Sequence, residues 1–222
     1  MTPSSPTVTT PTAASITGTT ATLGGNLTSD GGATVTARGV AYALTATNSN
    51  PQLGGAGVTN IAGTGTTGVF TVVASGLTPG TSYTFAAYAT NSEGTAYSST
   101  ANFTTPSAVT AWLTSNGMAA NSNLLSSPNH DGVSLLIDYA LNLNPTENQA
   151  PNVSKAVVKG GNLTFTYYAG NTDVTYEVQA SSDLKTWSST GVTVSAPDGN
   201  GNCTATVPLS SARVFLRLVV TH

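Results

Sequence analysis

The sequence predicts an all-β chain built as two β-sandwich domains with a short helical segment between them. Three observations carry that expectation. Apolar residues alternate with polar ones at a two-residue period towards both ends of the chain. Clusters of Gly, Asn and Pro cut the alternating runs to strand length. Helical spacing occurs only in the middle, at about residues 109–145. The 222 residues suit two domains of ordinary size.

The opening run MTPSSPTVTTPT reads as a linker arm or an extended edge strand, where proline is tolerated. In TATLGGNL, Ala21, Leu23 and Leu27 share one face, and the glycines permit close packing. VTARGVAYAL sets Val40, Tyr42 and Leu44 on one side, and VFTVV and YTFAAYA keep the same period. Turn signals punctuate these runs at SDGG, residues 29–32, and TPGT, residues 78–81. The stretch TTPSAVTAWL marks a boundary, giving domains at 1–106 and 107–222. Two helical signals follow, AVTAWLTSNG and GVSLLIDYALNLNP. In the second, Leu136, Tyr139, Ala140 and Leu143 form one stripe that Pro145 stops. From about residue 153 the strand period returns in NLTFTYY, VTYEVQAS, NCTATVP and VFLRLVVTH. KGGN, residues 159–162, is a hairpin turn.

Residues 76–105, GLTPGTSYTFAAYATNSEGTAYSSTANFTT, closely resemble the last strands of bacterial fibronectin type III-like repeats. GGNLTSDGGATVTARGV resembles their middle, so the likeness covers most of residues 6–106. It implies a fibronectin III/Ig-like sandwich in which Leu77 and Tyr83 form a tyrosine corner, the Tyr hydroxyl bonding to the connecting backbone. Relatives often carry Cys-Trp after RGV where this chain has Ala41-Tyr42. Residues 111–222 resemble a C-terminal module of exported bacterial proteins. Its members show an aspartate-rich loop of EF-hand or dockerin type, a helix LLEYALGLDP and strands VTYEVEASSDLxxW. Here LLIDYALNLNP stands at 135–145 and VTYEVQASSDLKTW at 174–187. This resemblance implies a core role for Trp187 and an extracellular or cell-surface location.

Composition narrows the function classes. Charged residues make up 7% of the chain, against about 25% in an average soluble domain. Six basic residues and a net charge of −3 cannot build the phosphate-neutralising stripe of a nucleic-acid binder. The single cysteine, Cys203, excludes an intrachain disulfide and reads as a buried strand residue. No run reaches the ~18 apolar residues of a membrane span. The N-terminus lacks the basic and apolar regions of a signal peptide. Either the natural leader is missing from this chain or export follows another route.

SSPNHDGVSLLIDY, residues 126–139, is the one stretch that looks like a site. An EF-hand-type loop takes ligands from positions 1, 3, 5, 7, 9 and 12, with glycine at 6. Counted from Ser127, these are Ser127, Asn129, Asp131, Val133 through its backbone, Leu135 and Asp138, with Gly132 in the glycine place. Position 1 has lost its carboxylate, position 9 is apolar, and position 12 is Asp in place of the longer Glu. Calcium affinity falls with the charge of the ligand set, so the expectation is millimolar binding at best. Two readings stay open. One is a weak or vestigial calcium loop. The other is a turn in which Asp131 caps a helix beginning near Val133, worth about 1 kcal/mol.

Beyond weak Ca2+, no cofactor is expected, and no enzyme. The first domain holds only Asp30, Arg38 and Glu93 among acidic and basic side chains, so no base and partner can be assembled there. In the second, a Ser–His–Asp set from His130 and Asp131 has no support beyond abundant serine. Glu177 and Asp183 imitate a glycosidase pair, but strand alternation puts Glu177 on a solvated face. Trp112 and Trp187 could form a sugar platform, yet both sit in segments that read as core. The expected role is a non-catalytic extracellular structural or adhesion module, a unit of a surface filament or stalk assembled by strand addition. Its partners would be proteins or other copies of itself, joined through sheet edges. The alternative is a carbohydrate-binding accessory module with polysaccharide as partner.

Overall fold

The computed structural model describes residues 2–209 and 213–222. The chain divides into two units, Met1–Ala111 and Trp112–His222. The first contains β1 (Thr7–Ala14), β2 (Thr20–Ser29), β3 (Ala37–Leu44), β4 (Thr59–Ala62), β5 (Gly68–Ser75), β6 (Ser82–Asn91), β7 (Gly94–Tyr97) and β8 (Ala101–Thr104). One sheet runs β1-β2-β5. The other runs β4-β3-β6, with β7 and β8 pairing successive parts of β6. All these pairings are antiparallel. Three strands facing a five-stranded sheet, in which β7 and β8 share one edge of β6, make a fibronectin III/Ig-like sandwich.

The two-residue period becomes burial. In β5, Phe70, Val72 and Ala74 are buried while Val69, Thr71 and Val73 are exposed. Side chains of both sheets, among them Leu23, Leu27, Val40, Phe70, Phe85 and Phe103, close one apolar core. Gly25 lies between Leu23 and Leu27 on the inward face. A Cβ there would stand 2.4 Å from the Ala87 Cβ on the opposite sheet, so glycine sets how closely the layers approach. Leu44 departs from its expected stripe. It is 40% exposed, because it ends β3, where its carbonyl already accepts the Thr47 and Asn48 N–H groups of the following turn.

The opening Thr/Pro run is an edge strand and not a free arm. Thr7–Ala14 pairs with β2, with register irregularities on either side of Val8 and between Thr9 and Thr12. Pro11 lies within the second irregularity, where a missing N–H costs no ladder bond. At the corner before β6, the Tyr83 hydroxyl accepts the Thr78 N–H at 2.9 Å. Its ring stacks on Phe103 at 5.3 Å, and Leu77 is buried beside it in the same core. Thr105, 1% exposed, donates to the Thr78 carbonyl at 2.6 Å and accepts the Thr81 N–H at 3.0 Å. Arg38 is buried without a carboxylate. Its guanidinium donates to the carbonyls of Thr64, Thr66 and Gly68 and lies 4.7 Å from the centre of the Phe70 ring.

Helix α1 (Ala108–Ser115) crosses the junction of the two units. The second unit then carries α2 (Leu135–Ala140) and six strands. These are β9 (Val157–Lys159), β10 (Asn162–Tyr168), β11 (Thr175–Ser181), β12 (Thr193–Val194), β13 (Asn202–Pro208) and β14 (Phe215–Thr221). A four-stranded sheet β12-β13-β10-β9 and a pair β11-β14 make its two layers. Phe165, Tyr167, Val178, Cys203 and Ala205 form the core, with Ile137 and Leu141 of the helical segment and Leu216 and Leu218 of β14 against it. Gly160 and Gly161 both hold positive φ, 59° and 76°, which a two-residue hairpin turn of primed type requires. Helix α2 is shorter than its apolar stripe. It ends at Ala140, well before Pro145, because Asn142 turns left-handed at φ 54° and the Leu143 N–H bonds back to the Asp138 carbonyl at 2.7 Å.

Candidate functional site

The stretch 123–149 is held by side-chain hydrogen bonds more than by regular structure. Ser134 caps α2, its hydroxyl accepting the Ile137 N–H at 3.4 Å. That corrects the expectation that Asp131 caps a helix beginning near Val133. The helix begins two residues later and has its own serine. Asp131 is instead the hub of the loop. One carboxylate oxygen accepts the Val133 N–H at 2.8 Å and the Ser127 hydroxyl at 2.9 Å, and the other accepts the Gln149 N–H at 2.7 Å. Burial raises its pKa, but these donors outweigh burial and hold it below the ordinary aspartate value. The segment after Pro145 therefore ties onto the loop, and Asn129 adds a second tie by donating to the Glu147 carbonyl.

Positions 1, 3 and 5 of the loop converge. Ser127 Oγ stands 2.9 Å from an Asp131 oxygen and 3.5 Å from Asn129 Oδ1. The same hydroxyl accepts the Gly132 N–H at 3.2 Å. Gly132 holds φ 81°, and His130 before it φ 59°. Val133 is buried, and Leu135, at position 9, is fully so. Asp138, at position 12, is 0% exposed, and neither of its carboxylate oxygens has a hydrogen-bond partner. Desolvation, with the Asp131 charge adding to it, pushes its pKa up to about 6. Gly132 and Val133 also border a cavity of about 360 Å³, whose apolar wall includes Ile137, Leu141, Phe165 and Leu218.

The other titratable groups have structural tasks. Asp183 accepts the Lys185 and Thr186 N–H groups, each at 2.8 Å. The Thr186 and Lys185 bonds, with the Ser181 hydroxyl, draw its pKa down to about 2. Glu177 is exposed on β11. Tyr139 donates its hydroxyl to Asp173 at 2.7 Å, and His222 Nε2 lies 3.8 Å from the same carboxylate. The Trp112 ring meets Tyr139 edge-on at 5.3 Å. Trp187 is half-buried and not a core side chain. The Arg217 guanidinium covers its ring at 4.5 Å while donating to Gln179. That pairing needs β11 and β14 side by side, with Gln179 opposite Arg217, so local sequence gave no sign of it. Among the described residues, no three His, Cys, Asp or Glu side chains gather as a metal cluster. No described helix is long and apolar enough to cross a membrane.

No protein-family model matches the chain, and no curated protein matches it. Among solved structures it is similar to the sensor domain of the anti-sigma factor RsgI4 of Pseudobacteroides cellulosolvens, at 21% identity and TM-score 0.35, over 47% of this chain and 97% of that one. It is similar to the fourth fibronectin III domain of a human protein at 22% identity and TM-score 0.35, over 48% and 82%. A computationally redesigned β-sandwich matches at 18% identity and TM-score 0.33, over 49% and 98%.

Proposed function

We propose that the chain is a non-catalytic extracellular structural or adhesion module that associates through open sheet edges. The observation that carries this reading is β5. It ends the sheet β1-β2-β5, so among the described residues one side of its ladder has no strand partner. Its outward side chains are Val69, Thr71 and Val73, with the two valines 73% and 62% exposed. Soluble proteins blunt such edges with lysine, proline or inward charges, and β5 has none of them. An added strand would gain main-chain hydrogen bonds along eight residues and apolar contact on the outer face. Scarce ionisable side chains, with Asp131 and Asp183 occupied in shaping turns, support a role without proton transfer. The polysaccharide-binding alternative needs a free aromatic platform, whereas Trp112 and Trp187 both lie against other side chains. Sedimentation velocity across a concentration series tests the proposal. The wild-type chain is expected to form growing species, and the double substitution Val69→Lys/Val73→Lys to restore the monomer. A wild-type chain that stays monomeric at the highest concentration refutes it.

A further inference from the structure

The sandwich of the second unit is unevenly layered. Four strands, β12-β13-β10-β9, face only two, β11-β14. The cavity of about 360 Å³ lies beside β14, bordered there by Leu216, Arg217 and Leu218. Consecutive strand residues point to opposite faces, so a cavity that meets all three reaches the edge of the strand and not one face alone.

The hydrogen-bonding polarity of that edge follows from the register. Ala180 of β11 donates to the Ser188 carbonyl at 2.8 Å and accepts the Ser188 N–H at 3.1 Å. Both of its backbone groups therefore point away from β14, and Ala180 and Leu216 face each other as a non-hydrogen-bonded pair. Every second residue repeats the pattern, so the N–H and C=O groups of Leu216, Leu218 and Val220 point out along the open edge. Among the described residues no hydrogen bond reaches them. The side chains of Leu216 and Leu218 pack against the core. The edge thus sets a row of unpaired backbone groups beside an apolar hollow walled by Ile137, Leu141 and Phe165. An extended chain with apolar side chains at alternate positions satisfies both features.

We infer that this edge of β14 receives β5 of a second copy, so that the sheet β1-β2-β5 of one molecule continues into β14-β11 of the next. The inference rests on the sheet-edge reading of β5 and names the surface that β5 meets. Two β5 edges paired about a two-fold axis would stop at a dimer, whereas continued growth requires two different surfaces. β14 is the edge that suits. Of the other strands at sheet ends, β4, β7, β8, β9 and β12 have four residues or fewer. β1 is irregular around Pro11, and β11 is partly covered by its bridge to Ser188. β14 keeps seven residues in unbroken register, against eight in β5. With the outer face of β5 continuing the inner face of β14, the exposed Val69 and Val73 lie over the cavity and close it. β5 carries no charged side chain, so nothing in it repels Arg217, the one charge on β14.

Sedimentation velocity on paired variants tests the contact. Leu218→Pro deletes an outward N–H that has no ladder partner in its own sheet, as an edge strand tolerates. Val69→Lys/Val73→Lys blocks the other edge. Each variant alone is expected to stay monomeric, and an equimolar mixture to give dimers and nothing larger, since one competent edge of each kind remains. Hydrogen exchange of the wild-type chain needs no variant, and decides alone if Leu218→Pro fails to fold. The amides of Leu216, Leu218 and Val220 should exchange roughly tenfold more slowly in the assembled species than in dilute solution. A wild-type chain that never associates overturns the β5 reading and this inference with it. Wild-type growth that persists in folded Leu218→Pro, a mixture that stays monomeric, or unchanged exchange at β14 in the grown species overturns this inference and leaves the β5 reading standing.

Discussion

Replacing Asp138 by Asn changes almost no volume and removes only the ability to ionise. In chelator, the wild-type carboxyl titrates near 6 in the folded protein, against 3.8 for an ordinary aspartate. The folded state therefore holds its proton more tightly than the unfolded chain does. Stability is full below about pH 4 and is lost as the pH climbs through 6, since the unfolded state ionises freely over that range. The interval corresponds to roughly 3 kcal/mol, and solvent entering the loop during local opening lowers it to an expected ~2 kcal/mol. Asp138→Asn has no such slope. The two proteins should have nearly equal stability at pH 4, and the variant should lead by about 2 kcal/mol at pH 7.5. Urea unfolding in EDTA at several pH values measures this. Both tryptophans lie in the second unit, so tryptophan fluorescence follows that unit alone. Parallel stability curves for the two proteins, or a variant that is weaker at every pH, would refute the argument that an uncompensated buried charge sits at this position.

Two further outcomes follow from geometry. Gly25→Ala forces a methyl to within 2.4 Å of the Ala87 Cβ and should cost about 1–3 kcal/mol as the sheets move apart. Far-UV circular dichroism during urea unfolding measures it, with the fluorescence transition of the second unit unchanged. Asp183 titrates near 2 because the Thr186 and Lys185 N–H groups bond its ionised form. The turn 181–186 should therefore stay intact above about pH 4 and open only as the pH falls towards 2. The amide shifts of Lys185 and Thr186 in an NMR titration should report a midpoint near 2, and one near 4 would contradict the bonded geometry.

Much of the architecture was legible because it rests on short-range periodicity. Ala21, Leu23 and Leu27 face inwards because side chains alternate along any strand, and Gly160-Gly161 turns because glycine alone occupies positive φ without strain. The loop was legible as a spacing, with Ser127, Asn129, Asp131 and Gly132 at the places an EF-hand pattern assigns. Its hydrogen bonding was not. Asp131 meets the N–H of Gln149, 18 residues on, and a helix near Val133 gave way to one capped by Ser134. Trp187 and Leu44 misled for a related reason, since a residue's face says nothing about whether another layer covers it.

By itself, then, the sequence determined the strand class, the turns, the scarcity of charge and the place of the acidic loop. Only the tertiary structure decided that Arg38 would be satisfied by carbonyls across a loop, that β5 would be left at an edge, and that Asp138 would be sealed from water without a donor. The physical reason is one of range. Backbone preference and alternation act over a few residues, whereas desolvation and hydrogen-bond satisfaction depend on whatever distant segments the folded chain brings alongside.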